Sequence, residues 1–281
     1  MKQRTITSVA IISVALLLVL LSDFIVYPIG LALLAVIAVF EMLRVMQADR
    51  FLLLSIPAYL LAATFPMLAF FFADQYTFEL IMALAGATFV YLMWLFGVSI
   101  FSKGKISFAR ISEVFVSVLY VTVSFMSLSL MRYMKPEIGV YFVVLVFVIS
   151  WVSDTSAFAI GSLMGKHKLI PEISPKKTIE GCVGGIICSA LGCLVYGLFL
   201  QFIIGDMSVN YPAMFVYGLI LSVISQLGDL VASLLKREYG AKDYGTIFPG
   251  HGGIMDRFDS VLAVSTILMI LCIVFPPFSM I

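Results

Sequence analysis

Apolar residues in this chain come in long, almost uninterrupted runs. Nine stretches stand out: Ile6–Leu21, Val26–Leu43, Phe51–Phe72, Phe78–Phe101, Ile111–Met131, Gly139–Ile160, Gly181–Ile204, Pro212–Leu235 and Ser260–Met280. One helix needs ~20 apolar residues, each rising ~1.5 Å, to cross ~30 Å of hydrocarbon. The pattern predicts an all-α, polytopic membrane helix bundle of about nine transmembrane helices. The first run follows Met1-Lys2-Gln3-Arg4 and so resembles a signal peptide. The residues after it are Ser22-Asp23-Phe24-Ile25, with no small-x-small cleavage site, and a retained span is expected.

Composition agrees. Of the 281 residues, 62% are apolar and only 12% are charged. Soluble globular chains run near ~45–50% and ~25%. A soluble fold would have to cover its exterior with polar groups this chain lacks, so lipid must cover part of it. Nine spans consume about 180 residues, which leaves no room for a large extramembrane domain. The net charge of +1 gives no bulk bias toward nucleic acid, and no nucleic-acid partner is expected. Cys182, Cys188, Cys193 and Cys272 all lie in apolar runs without a CxxC pair, and read as small packing residues.

Charge then orients the bundle. With the N-terminus in the cytoplasm and nine alternating spans, the inside receives Lys2, Arg4, Arg44, Arg50, Lys103, Lys105, Arg110, Lys166, Lys168, Lys176, Lys177, Lys236, Arg237, Lys242 and Arg257. These are fifteen of the 17 basic residues; only Arg132 and Lys135 fall outside. Cytoplasmic loops carry such an excess, so the expected topology is N-terminus cytoplasmic and C-terminus outside. Removing one early span would reverse every later loop. Polar residues gather after about residue 150. Residues 1–135 therefore read as a scaffold of N-terminal helices, and residues 136–281 as helices whose cytoplasmic loops form the active site. The longest loops, about 161–180 and 236–259, are both basic.

Ionisable groups at membrane depth are costly, about 3 kcal/mol each on insertion scales, and point to function unless paired. Glu41 has Arg44 three residues on, which predicts an interfacial ion pair; Glu113 after Arg110 reads the same way. Asp154 shares a helix face with Ser150, Ser153 and Gly161, a face suited to a bundle interior or a wet cavity. Asp229 sits near the centre of a sector holding Ser222, Ser225, Gln226, Ser233 and Lys236. The alternative for both aspartates is an interhelical hydrogen-bond network. Gly181, Gly185, Ser189, Cys193 and Gly197 recur every four residues and form a ridge for close helix approach.

The loop 236–259 differs in kind. It holds Lys236, Arg237, Lys242 and Arg257, the stretch Pro249-Gly250-His251-Gly252-Gly253, and Asp256 and Asp259 at a helix start. Glycines let backbone N–H groups approach an anion, cations neutralise phosphate, and paired carboxylates suit a hard divalent cation. Ser174-Pro175-Lys176-Lys177-Thr178 reads as a basic turn opening onto a positive helix end, another anion site. Gly161-x-x-x-Gly165-Lys166 is one residue short of a Walker A loop, lacks the following Ser or Thr and follows no strand, so it is rejected. The inventory asks for a polyanionic ligand, carboxylates for Mg²⁺ and a site at membrane level. Phosphoryl or nucleotidyl transfer needs little else.

Ser233-x-Leu235-Lys236-Arg237, Lys242-Asp243 and Pro249-x-His251-Gly252-Gly253-x-x-Asp256-Arg257-x-Asp259 closely resemble the signature of phosphatidate cytidylyltransferases (CDP-diacylglycerol synthases). The segment 174–181, Asp154-Thr155 and Ser225-Gln226-x-Gly228-Asp229 look like family positions too. The motifs cover about residues 150–260 and show no departure at the charged positions. The resemblance implies CTP + phosphatidate → CDP-diacylglycerol + pyrophosphate, with Mg²⁺ and with room for a second, monovalent cation. It implies a homodimer in a bacterial cytoplasmic membrane, with the active site near the cytoplasmic face. Asp229 and Asp256 would bind the metal, with Asp154 and Asp259 as further ligands or supports. Lys242, His251 and Arg257 would act beside them in catalysis. Ser174, Lys176, Lys177, Thr178, Lys236, Arg237, Gly252 and Gly253 would bind substrate. Two rivals remain on residue chemistry: a CTP-dependent polyprenol or phytol kinase, and an anion transporter coupled through Asp154 and Asp229.

Overall fold

The computed structural model describes residues 13–248, 250 and 252–280. Residues 13–20 are helical; the earlier part of the first expected span, with Lys2 and Arg4, lies outside the described residues. Eight helices follow that are long and apolar enough to cross a membrane. They are α1 (Val26–Val45), α2 (Leu52–Phe72), α3 (Thr77–Phe101), α4 (Phe108–Tyr133), α5 (Gly139–Met164), α6 (Ile179–Phe199), α7 (Tyr211–Glu238) and α8 (Met255–Val274). A π-helical turn, Leu200–Ile204, extends α6. The 20 residues of α1 reach ~30 Å and the 28 of α7 ~42 Å, so each can span.

Most helices overrun their apolar runs by a few residues, because polar groups are tolerated where helix ends meet headgroups and water. The last span shows the largest difference. Expected over Ser260–Met280, it starts at Met255 and ends at Val274. Asp256 in its first turn suits the positive helix end, and Pro276-Pro277 cannot continue a helix. Two short antiparallel ladders lie outside the spans. In one, β1 (Lys168–Ile170) pairs with β2 (Ser174–Thr178); in the other, β3 (Met207–Val209) pairs with β4 (Phe278–Met280). The expected basic turn at 174–178 is thus the second strand of a hairpin. It ends on Thr178, whose Oγ1 accepts a hydrogen bond from Gly181 N at 3.2 Å and caps α6.

The chain forms two compact units. The first comprises residues 1–136 and 239–257. Here α1, α2 and α4 pack on a core of Ala35, Ala38, Leu54, Ala58, Val121 and Phe125, all fully buried; alanines let the helix axes approach. Buried Arg132 is tied down by Ser22 Oγ at 2.9 Å, by the Pro136 carbonyl at 2.9 Å and by an ion pair with Asp23. Arg110 and Glu113 form the expected pair at 3.5 Å, and Tyr239 donates to the same carboxylate at 2.7 Å.

The second unit comprises residues 137–238 and 258–281. The small-residue ridge on α6 is realised: Gly181, Gly185, Ser189, Cys193 and Gly197 are all buried. A Cβ on Gly185 would stand 3.0 Å from the Ser153 carbonyl and 3.1 Å from Gln226 Nε2, so this ridge admits α5 and α7 together. Gly161 and Gly165, at the end of α5, make room for Thr178. That is packing, and it agrees with rejecting a phosphate loop there.

Candidate active site

In the second unit the polar face of α7 is knitted to its neighbours. Ser153 and Ser222 hydroxyls meet at 2.7 Å, and Gln226 Nε2 donates to the Cys182 carbonyl at 3.1 Å. One turn further along α7, Asp229 Oδ2 receives Lys177 Nζ at 2.8 Å. The same ammonium donates to the Gln226 carbonyl at 3.2 Å, and Ser233 Oγ donates to Asp229 Oδ1 at 3.4 Å. Lys177 reaches α7 because β2 ends in the cap that starts α6. The hairpin therefore delivers a cation to the carboxylate. This cation–carboxylate pair is partly buried, with 21% and 31% of the side chains exposed. The sequence sector therefore contains a hydrogen-bond network, and Asp229 lies at its wetter end.

Gly228 explains how a second helix reaches this point. A Cβ there would stand 2.7 Å from the Asp259 carbonyl and 2.6 Å from Ala263 Cβ, so only glycine lets α8 close on α7. Asp259 is thereby brought within electrostatic reach of Asp229, Asp154 and Lys236. Asp154 is exposed, and its Oδ2 accepts from Ser260 Oγ at 2.9 Å. Asp259 Oδ1 accepts from Ser260 N at 2.8 Å. Ser150 and Ser225 are fully buried with hydroxyls that have no partner among the described residues. Lys236 is buried, while Lys176 and Arg237 are exposed; Arg237 Nε donates to the Ile173 carbonyl at 3.5 Å.

In the first unit the segment 239–257 folds around Asp256. Asp256 is 8% exposed, and its Oδ2 accepts from Tyr244 N at 2.8 Å and Gly253 N at 2.9 Å. Gly252 has φ +81°, and a Cβ there would overlap the Asp256 carboxylate, so the turn requires glycine on both counts. Lys242 and Arg257 are exposed; His251 lies outside the described residues. Glu41 corrects an expectation. It is 2% exposed, and no ion pair joins it to Arg44 among the described residues. Its Oε1 instead accepts from Ile254 N at 3.1 Å and its Oε2 from Met255 N at 2.9 Å. The start of α8 offers N–H groups with no intrahelical acceptor, and a carboxylate there gains two charge-assisted bonds.

In the sequence Glu41 stands out only through its cost. A carboxylate in an apolar run needs a partner, but the partner lies 213 residues away and local spacing pointed to Arg44. Thr178 is a related case: its side chain is buried in a helix cap. Among the described residues no three His, Cys, Asp or Glu side chains converge as a ready-made metal cage. Mg²⁺ uses one or two carboxylates and fills its octahedron with waters and substrate phosphates. Asp154, Asp229 and Asp259 are oxygen donors of the second unit, and Asp256 is one of the first; each suits a hard cation.

The profile of the Cytidylyltransferase family matches residues 2–275. Curated proteins named phosphatidate cytidylyltransferase are also similar. The protein of Staphylococcus haemolyticus is 47% identical over 141 residues, covering 50% of this chain and 52% of that protein. That of Staphylococcus saprophyticus is 48% identical over 135 residues, and that of Staphylococcus epidermidis 50% over 135, each covering 48% of this chain and 50% of the relative. The chain spans about half the length of the curated relatives it matches. With the family profile matched from near the first residue to near the last, this chain belongs to the cytidylyltransferase family.

Proposed function

We propose that this chain is a membrane-embedded phosphatidate cytidylyltransferase, which transfers CMP from CTP to phosphatidate and releases pyrophosphate. The observation that carries the reading is the Lys177–Asp229 pair on a membrane-spanning helix, with Asp154 and Asp259 close by. A lipid phosphate and a soluble nucleotide need such a place, where carboxylates and cations stand at membrane depth. The names of the relatives support the choice of phosphatidate.

In this reading a phosphatidate phosphate oxygen attacks the α-phosphorus of CTP in line. A P–O bond forms, the bond to the β-phosphate oxygen breaks, and pyrophosphate leaves with the electron pair. The attacking phosphate is already ionised, so no general base is needed. Asp229 and Asp256 are the proposed Mg²⁺ ligands, with Asp154 and Asp259 as further ligands or supports. When bound, Mg²⁺ would neutralise charge on the phosphates. Lys176, Lys177, Lys236, Arg237, Lys242 and Arg257 hold phosphate oxygens, and Gly252, Gly253, Ser174 and Thr178 shape the anion sites. His251 steadies the departing pyrophosphate. The proposal includes a homodimer in a bacterial cytoplasmic membrane, with the site at the cytoplasmic face.

One incubation tests it. CTP labelled at the α-phosphate, with phosphatidate and Mg²⁺, should put label into the extracted lipid; label that reaches a lipid only from the γ-phosphate would mean a kinase. Asp256→Asn should keep the fold but lower transfer by about 10²-fold or more, as expected when a metal ligand is lost. Near-normal transfer by that variant would remove Asp256 from the metal site.

A further inference from the structure

We infer that Glu41 is a positioning residue that sets where the Asp256 carboxylate stands. The inference rests on the reading of Asp256 as a metal-binding group. Glu41 belongs to α1 and to none of the motifs that carry the resemblance, yet its two carboxylate oxygens hold the two backbone N–H groups immediately before Asp256. Hydrogen bonds to a carboxylate are stronger than neutral ones, the more so when the site is dry. Asp256 in turn holds Tyr244 N and Gly253 N with a single oxygen. The two carboxylates thus fasten both ends of the 244–256 loop: Glu41 fixes the first turn of α8, and Asp256 closes the loop onto it.

The fit around Glu41 is tight. A Cβ on Gly245 or on Gly253 would overlap its carboxylate. Gly245 has no positive φ, so alanine is conformationally acceptable there and would act chiefly through that overlap, with Gly253 Cα a further close neighbour at 3.2 Å. A carboxylate used only for solubility or interfacial pairing would not be 2% exposed and enclosed by glycines. Gln is nearly isosteric with Glu but accepts through one oxygen only. Its NH₂ would face a second N–H donor, leaving one helix-start amide unpaired.

The test uses the purified full chain as wild type, Glu41→Gln, Glu41→Ala, Gly245→Ala and the Glu41→Ala/Gly245→Ala double variant. Three properties are measured: hydrogen exchange of the 244–256 backbone, apparent Tm, and label transfer as a function of Mg²⁺ concentration. Glu41→Gln should speed exchange in this loop and raise the half-saturating Mg²⁺ concentration by about 10–100-fold. The KM for phosphatidate should stay at its wild-type value. Gly245→Ala should do the same, and the double variant should lose less than the sum of the two single variants, because the overlap with the carboxylate is then gone. Wild-type exchange and Mg²⁺ response in Glu41→Gln would overturn the inference. So would a fall in Tm with unchanged half-saturating Mg²⁺, which marks mere support of the fold. Should wild type put no label into lipid, the proposed function fails, while the exchange data still decide whether Glu41 holds the loop.

Discussion

The Lys177 ammonium has two acceptors, the Asp229 carboxylate and the Gln226 carbonyl, whereas its neighbour Lys176 is exposed and forms no ion pair among the described residues. Sequence alone treats the two lysines as equals in one basic turn. The strand separates them, because alternate residues of β2 point to opposite faces. Lys177→Met removes a charge-assisted contact worth about 1.5–3 kcal/mol and should lower kcat/KM for label transfer by roughly 10–100-fold. Lys176→Met removes a proposed phosphate contact but leaves Asp229 with its Lys177 partner, and should lower it by less than Lys177→Met does. An equal loss in both variants would mean that the turn acts only through its summed charge. At this scale the sequence shows which groups are costly but not which partner each one finds. Asp154, Asp229 and Glu41 are visible in the sequence as expensive carboxylates, and Asp256 as a candidate metal ligand at a helix start. The hydrogen bonds of Asp154 to Ser260, Asp229 to Lys177 and Glu41 to Met255 N join segments far apart in the chain, and that of Asp256 to Tyr244 N closes a loop.

Helices were the most legible elements, because a membrane demands ~20 apolar residues whatever the fold. Their ends were less legible. Asp256 and Asp259 look like loop residues by hydropathy, yet a positive helix start welcomes them. The hairpin at 168–178 carried no signal, since two strands of three and five residues are too short for a period to emerge. Small residues were readable as ridges, and the structure tells which of them are under pressure. Gly218 is pressed on the backbone of α6: its Cβ would overlap Ala190 Cα and stand 2.8 Å from Ala190 N. Backbone cannot rotate away, so Gly218→Ala should cost about 1–3 kcal/mol, which lowers apparent Tm by several degrees in a thermal scan. Gly86 in α3 meets nothing within 4 Å, and Gly86→Ala should instead hold or raise Tm through its ~1 kcal/mol gain in helix propensity. If the two variants melt alike, the close approach of α6 and α7 is not what holds that unit together.

For the molecule as a whole, the charge pattern carries more than the apolar pattern. Eight spans among the described residues follow from apolar length alone, but length does not say which end of any helix meets the cytoplasm. The excess of Lys and Arg predicts it, and the burial of Arg132 changes the count on which that expectation rests. Arg132, one of two basic residues expected outside, is buried among Ser22, Asp23 and Pro136, so it braces the first unit and is not a surface charge. Among surface cations that leaves Lys135 alone on the expected outer side, opposite the exposed Lys103, Lys105, Lys166, Lys168, Lys176 and Lys242. An orientation with the N-terminus outside would send all of these across instead of one, against the bias that sets topology. The orientation can be read directly by placing single cysteines in a variant whose four native cysteines are replaced. Lys105→Cys and Glu137→Cys both occupy exposed positions in the short connections flanking α4. A membrane-impermeant thiol reagent added to intact cells should label Glu137→Cys and leave Lys105→Cys untouched, and inverted vesicles should reverse the pattern. Labelling of Lys105→Cys from outside would turn the whole bundle over, and with it the 168–178 hairpin and the 239–257 segment. CTP is made and kept in the cytoplasm, so that one result would also withdraw the nucleotide from the proposed site.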